Sequence, residues 1–124
     1  MTELNEGRHP AEFILTEANG QRSRGSGRIS YNNVVVPGQI VKVLNAATTD
    51  SPTEYAPLVA GAGNAAAAIV IYGAAPISGT PIDVAVIQRD AEVNGKILTW
   101  PAGIDNTQKA AALTALAALG VIVR

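Results

Sequence analysis

The chain has 124 residues, 9 basic and 10 acidic side chains, a formal net charge of −1 and no cysteine. This near-neutral charge argues against a nucleic-acid partner, because phosphate affinity comes from clustered Lys and Arg. The lack of cysteine excludes disulfides, thiolate metal sites and cysteine nucleophiles. No apolar run approaches the ~20 residues of a membrane span, so a membrane is not an expected partner either.

The core is expected to be built from small side chains. Hydrophobic residues make up 48% of the chain, but aromatic residues only 4%. Small side chains bury little area each, so contacts between subunits are expected to contribute to stability. The acidic N-terminus has no apolar stretch, which predicts no signal peptide and synthesis in a cytoplasm.

Residues 1–33 differ from the rest of the chain because they are rich in charge, Gly and Ser. Their only apolar cluster is Phe13, Ile14 and Leu15. Such a segment buries too little area to offset the entropy of ordering, so we predict a flexible N-terminal arm and a compact domain over residues 34–124. The residues alone leave two readings open for 12–16: a strand added to the sheet of another protein, or the first strand of the domain itself.

Short strands are predicted for the middle of the chain. The Pro37-Gly38 pair fits a type II turn after three valines. Pro57 suggests an edge strand, because proline cannot donate to a ladder. Ile87 breaks the alternation of Ile82, Val84 and Val86, which predicts a β-bulge there. The strands are expected within residues 39–44, 54–59, 65–73 and 82–87.

An Asn94-Gly95 dipeptide between two apolar runs predicts a tight β-hairpin. A two-residue turn would pair Val93 with Lys96, Ala91 with Leu98 and Arg89 with Trp100. Trp100 would then lie against Arg89 in a cation–π contact, and Pro101 would end the strand.

A capped helix is predicted after this hairpin. Asp105 or Asn106 can accept a hydrogen bond from the first turn, and Gly120 can end the helix. The apolar residues Ala110, Leu113, Leu116 and Ala117 recur at helical spacing. Alanine on the remaining faces allows close approach to the sheet of the domain or to a neighbouring subunit. Residues 121–123 predict a short closing strand.

No catalytic or metal-binding pattern stands out, so no enzyme activity, cofactor or metal is expected. His9 is the only histidine and lies in the predicted arm, where nothing holds it against a serine and a carboxylate. Asp90 and Glu92 fit a solvated strand face better than an acid/base pair, because no apolar pocket is evident to shift a pKa.

Two segments carry a resemblance to a known family. Leu98-Thr99-Trp100-Pro101, a polar loop, residues 106–109 and an Ala/Leu helix resemble the lambda-type bacteriophage head decoration proteins. Residues 12–24 are similar to the arm of the same family. The resemblance implies an α+β fold: a mainly β, β-tulip or barrel-like domain with one C-terminal helix and a flexible N-terminal arm.

The resemblance also implies a function. A homotrimer would bind the major capsid protein on the outside of the expanded head, at threefold and quasi-threefold sites, and stabilise it against packaged DNA. The competing hypothesis is an oligomeric binding module on a virion or cell, which would bind, for example, glycans on a host surface. Trp100, Pro101, Leu113 and Leu116 would hold the domain together. The capsid-binding arm residues would be Glu12, Phe13, Ile14, Leu15, Thr16, Glu17, Arg22 and Arg24.

Overall fold

The computed structural model describes residues 6–30, 32–61, 65–76 and 80–124. Residues 1–5 of the predicted arm and Tyr31 lie outside this part of the chain. The described residues form a closed five-stranded barrel and a separate three-stranded sheet. In chain order the elements are β1 (Ile14–Glu17), β2 (Arg24–Ile29), β3 (Ile40–Asn45), β4 (Glu54–Pro57), β5 (Ala68–Val70), β6 (Ile82–Ile87), β7 (Ala91–Val93), α1 (Asn106–Ala118) and β8 (Val121–Val123). This confirms the predicted fold class.

The barrel has the strand order β2-β4-β3-β5-β6 and closes through pairing of β6 with β2. Among the described strands, closure therefore leaves no free edge on the barrel sheet. The predicted edge position of β4 is wrong, since this strand pairs with both β2 and β3. Pro57 is tolerated because the pairing with β2 has already ended at Tyr55.

The other sheet has the order β1-β7-β8, with the short strand β7 in the middle. β1 runs antiparallel to β7 and β8 runs parallel to it. This arrangement contradicts the predicted Asn94-Gly95 hairpin, because both edges of β7 are already occupied. Residues 96–100 form no strand apart from a bridge between Thr99 and Gln39. The dipeptide instead opens a turn in which Ile97 N–H donates to Asn94 C=O at 3.3 Å.

Two hydrophobic cores lie on opposite sides of the barrel wall. Each of the five barrel strands contributes to the inner core, which contains Ile29, Val41, Tyr55, Val70, Val84 and Val86. The outer core joins the barrel to the three-stranded sheet and to α1, and it contains Phe13, Ile40, Ile69, Ile87, Val93, Leu116 and Val121. Neighbouring residues such as Val86 and Ile87 therefore belong to different cores. The predicted bulge is wrong, because Val86 and Ile87 are each buried in a different core and the register of β6 with β2 is continuous.

The helix begins and ends where the sequence predicts. Asp105 is the N-cap, and its Oδ1 accepts a hydrogen bond from Gln108 N–H at 2.8 Å. Gly120 follows the helix in the left-handed region, with φ of 84°. The predicted buried face is only partly right, since Leu116 is buried but Ala110 and Ala117 are exposed. An alanine-rich helix offers several equally apolar faces, so packing rather than periodicity selects the buried one.

The compact fold begins within the range predicted as an arm. Phe13 has no exposed surface, and β1 and β2 belong to the two sheets. Asn94 N–H donates to Phe13 C=O at 2.7 Å, and Ala11 N–H donates to Ile71 C=O at 3.3 Å. Of the two readings left open for residues 12–16, the structure shows the first strand of the domain itself.

Candidate functional site

The N-terminal strand and the C-terminal strand are linked through one carboxylate of the strand between them. Thr16 Oγ1 donates to Glu92 Oε2 at 3.1 Å, and Arg124 Nη2 donates to Glu92 Oε1 at 2.6 Å. These interactions with Arg124, and secondarily with Thr16, lower the pKa of Glu92 below its ordinary value. Glu92 therefore remains ionised at neutral pH and links the side chain of Thr16 in β1 to that of Arg124, which directly follows β8.

The turn between β1 and β2 is held at its base by a buried hydroxyl. Ser23 Oγ accepts from Ala18 N–H at 2.8 Å and donates to Asp90 C=O at 2.7 Å. Two ion pairs flank this turn, Arg22 with Asp90 at 3.0 Å and Arg24 with Glu17 at 2.7 Å. The hydrogen bond that Arg24 donates to the Glu17 carboxylate raises the pKa of Arg24. The segment is thus fixed to the body by specific polar contacts.

The outer side of β1 faces away from the domain. Among the described strands, β1 pairs only with β7, so it is the edge of its sheet. Leu15 on this strand is 50% exposed. We name the surface formed by Leu15, Thr16, Glu17 and Arg22 the N-terminal edge surface. An exposed strand edge presents unpaired backbone groups that can pair with another chain.

The structure places some of the predicted arm residues in the interior of the domain and the others on its surface. Phe13 is buried in the outer core, and Ile14 is half-buried and pairs with Val93. Glu12 lies on the approach to β1, with Oε2 3.7 Å from Nδ1 of His9. The remaining predicted residues reach the surface around β7: Leu15, Thr16, Glu17, Arg22 and Arg24.

The predicted structural residues of the C-terminal unit lie close to the outer core. Leu116 is fully buried, whereas Trp100, Pro101 and Leu113 are half-buried. The predicted contact between Trp100 and Arg89 is wrong, because residues 96–100 do not pair with β7. Lys109 lies over the ring instead, with Nζ 4.8 Å from the ring centroid. The folding of the first helical turn back onto Trp100 brings these residues together.

An apolar groove runs between the C-terminal half of α1 and the barrel. Its volume is about 550 Å³, and Val43 and Leu119 on its walls are 44% and 40% exposed. The sequence did not predict this groove. Its only related feature was the alanine-rich helix, whose faces could approach the sheet or a neighbouring subunit closely. The groove is lined by Lys42, Val43, Ala65, Ala66, Ala67, Ala115, Ala118 and Leu119.

A second apolar surface lies around Val34, Val36 and Tyr72. Val35 between the two valines is buried and pairs with Ala74, and the Cα of Val36 lies 3.8 Å from the position of a Cβ on Gly73, the residue after Tyr72. Val34 is 64% exposed and Tyr72 51%. We name this the valine surface. Exposed apolar patches of this kind mark interaction sites when they are contiguous.

We searched the described part of the chain for side chains that could bind a metal ion or act in catalysis. Within residues 6–30, 32–61, 65–76 and 80–124, no group of three or more His, Cys, Asp or Glu side chains is placed to hold a metal ion. His9 is exposed and contacts Glu6 at 3.0 Å. Asp90 and Glu92 are engaged by arginines. No helix in these ranges is long and apolar enough to cross a membrane.

Comparison with known proteins assigns the family. No curated protein sequence matches the chain at a significant level. The family model described as bacteriophage lambda head decoration protein D matches residues 3–121, which is almost the whole chain. That family consists of structural proteins that decorate the outside of a phage head. The chain therefore belongs to the bacteriophage lambda head decoration protein family.

Proposed function

We propose that this protein forms a homotrimer that binds the major capsid protein on the outside of the expanded phage head, at threefold and quasi-threefold sites. Bound there, it stabilises the shell against the pressure of packaged DNA. The family match supports a decoration role.

The N-terminal edge surface is the observation that carries the proposal. It combines an open strand edge with the half-exposed Leu15 and with polar groups held in place by Arg22–Asp90 and Arg24–Glu17 contacts. An edge strand that gains a partner strand obtains affinity from main-chain hydrogen bonds and specificity from its side chains. We infer that β1 pairs with a capsid strand along this edge.

Self-association is supported by two different apolar surfaces on one chain. A threefold ring uses a heterologous interface, in which one surface of a subunit contacts a different surface of the next. The groove beside α1 and the valine surface are separate patches that meet this requirement. A trimer would present three edge surfaces at once, so binding of the first raises the effective concentration of the others.

Substitution at the edge tests the capsid contact. Deletion of residues 1–20 would remove Phe13 from the outer core and confuse unfolding with lost binding. Leu15→Asp changes an exposed side chain instead, so the melting temperature and the oligomeric state should stay close to those of the original protein. We expect a reduction of at least about tenfold in affinity for expanded heads that lack the protein, which corresponds to roughly 1.4 kcal/mol.

Leu44→Asp provides the matched control. Leu44 is exposed to nearly the same extent as Leu15 but lies in β3, away from the edge surface. Unchanged affinity for Leu15→Asp would remove β1 from the contact. Equal losses for both variants, with the oligomeric state of each unchanged, would show a nonspecific effect of added charge. Sedimentation of the unmodified protein as a monomer at high concentration would contradict the trimer.

A further inference from the structure

The chain contains two Asn-Gly dipeptides, Asn19-Gly20 and Asn94-Gly95. This dipeptide is chemically labile because the backbone nitrogen after asparagine can attack the side-chain amide carbon. Glycine has no Cβ, so it neither shields that nitrogen nor restricts the approach. The same reactive group thus occurs at two places in one molecule, and the structure gives each place a different environment.

Asn19 and Gly20 lie at the tip of the turn between β1 and β2, where residues 19–22 are all exposed. In the part of the chain that the structure describes, no hydrogen bond engages the Gly20 N–H or the Asn19 side chain. A Cβ placed on Gly20 would meet no atom within 4 Å. The contacts that hold the turn to the body involve Ser23, Arg22 and Arg24, and none of them involves Asn19 or Gly20. The attacking nitrogen is therefore accessible.

Asn94 and Gly95 are half-buried and are hydrogen-bonded to Phe13 and to Arg124. Gly95 N–H donates to Arg124 C=O at 2.9 Å, and Asn94 N–H donates to Phe13 C=O at 2.7 Å. Asn94 Oδ1 accepts a hydrogen bond from Lys96 N–H at 3.0 Å, which orients the side-chain amide. Val123 Cγ1 lies 2.7 Å from the position of a Cβ on Gly95. Attack at this site requires β8 to detach first.

We propose that Asn19 is a site of spontaneous deamidation and that the docked strand β8 protects Asn94 from the same reaction. Gly20 N loses its proton and forms a bond to Cγ of Asn19, while the bond from Cγ to the amide nitrogen breaks and ammonia leaves. Water then opens the resulting cyclic imide at either carbonyl. The products are aspartate and isoaspartate at position 19. No oxidant or reductant takes part.

The reaction changes the surface on which it occurs. A new carboxylate enters the turn that carries Arg22, so the local charge becomes more negative by one unit. The isoaspartate product also inserts an additional methylene group into the main chain between β1 and β2. The proposal does not depend on the capsid role, because the reactivity follows from exposure and hydrogen bonding within one chain.

Peptide mapping by mass spectrometry tests the proposal on the full-length protein. The protein is incubated in mildly alkaline buffer, with and without denaturing urea, and conversion at both asparagines is followed with time. Dividing each native rate by its rate in urea removes the intrinsic difference between the preceding residues, Ala18 and Val93. We expect this normalised rate to be at least about tenfold higher at Asn19, because Asn94 reacts only from an opened state.

A variant of β8 tests the protection directly. Val123→Ala removes packing against Gly95, so it should speed conversion of Asn94 without changing the rate at Asn19. Equal normalised rates in the unmodified protein would overturn the proposal. So would a native protein that shows no conversion at Asn19 over a period that converts both sites in urea. A Val123→Ala variant with an unchanged Asn94 rate would overturn the role of β8.

Discussion

Strands β1 and β8 pair with opposite edges of β7. The sequence of β8 clearly predicts a strand, whereas the sequence around β1 predicts a flexible segment. β8 is a run of three β-branched residues after a capped helix, and its first residue, Val121, is fully buried. β1 lies in a charged segment with low apolar content and pairs with β7 through a register shift between Ile14 and Thr16. Both strands nevertheless belong to the same sheet.

The comparison shows that the composition of a segment underestimates its ability to order. One aromatic side chain, Phe13, is fully buried beside β1 and supplies much of the missing apolar area. Two of the arginines in this segment form ion pairs: Arg24 with Glu17, and Arg22 with Asp90. A charged segment can therefore be part of a compact domain when its few apolar residues reach a core that the rest of the chain provides.

Truncation of Phe13 should give the largest effect. Phe13→Ala leaves a cavity in the outer core, so we expect the free energy of unfolding to fall by about 3–5 kcal/mol. Leu15 is exposed, so the control variant Leu15→Ala should change the free energy of unfolding by no more than roughly 0.5 kcal/mol. Urea unfolding of both variants provides the measurement. Similar small changes in the two would mean that β1 is not docked in solution.

Truncation of Leu116 makes the corresponding test on the side of β8. This residue is fully buried between α1 and the sheet, so Leu116→Ala should reduce the free energy of unfolding by about 2–5 kcal/mol. Leu113 is only half-buried, and Leu113→Ala should therefore reduce it by less. If the order of these two losses were reversed, the helix would pack on a different face from the one described.

Removal of the helix cap should have a smaller effect. Asp105→Ala deletes the acceptor for Gln108 N–H, which typically costs about 1 kcal/mol. Asp105→Asn keeps an oxygen acceptor and should retain most of the stability. The loss is measured as a shift in the urea midpoint at constant slope. A full loss in the asparagine variant would indicate a role for the charge instead of the hydrogen bond.

Acid should weaken the link between β1 and β8. The folded-state pKa of Glu92 is lowered, so its contribution is present above the usual glutamate range of roughly 4–4.5 and is lost as pH falls through the lower folded value. Glu92→Gln should therefore show a weaker dependence of stability on acidic pH. Glu54 has a lowered pKa through Ser30 and Asn45, so part of the dependence should persist. An unchanged pH profile in Glu92→Gln would contradict the link.

The exposed ion pair at the β1–β2 turn should contribute least. Arg22→Ala removes the contact with Asp90, but the arginine side chain is 72% exposed, so the expected loss is below about 1 kcal/mol. Salt should reduce this difference further. Denaturation at low and high ionic strength provides the comparison. A loss as large as that of Phe13→Ala would show that polar contacts, and not core packing, hold the N-terminal segment.

The sequence predicted turns and helix ends correctly where a particular residue type is required by the local backbone conformation or by a capping hydrogen bond. The Pro37-Gly38 turn is confirmed by the hydrogen bond from Gln39 N–H to Val36 C=O at 3.1 Å, and Gly38 has φ of 80°. The Asp105 cap and the Gly120 stop are confirmed as well. The resemblance at the two ends of the chain agrees with the family match over residues 3–121.

Pairing partners were not predictable in the same way. Asn94-Gly95 is a strong hairpin signal, yet β7 pairs with two strands distant in the sequence. The surfaces of the candidate site also depend on which distant segments pack together. Leu15 is at an edge only because β1 lies outside β7, and the groove beside Leu119 exists only because α1 packs against the barrel.

The sequence by itself determined the family, the mainly β fold with one C-terminal helix, and the turns and caps, because these depend on residues close together in the chain. The tertiary structure decided which strands pair, which face of the alanine-rich helix is buried, and that Phe13 brings the N-terminal segment into the domain. Those outcomes depend on total buried area across distant segments, and several local patterns would satisfy that requirement equally well.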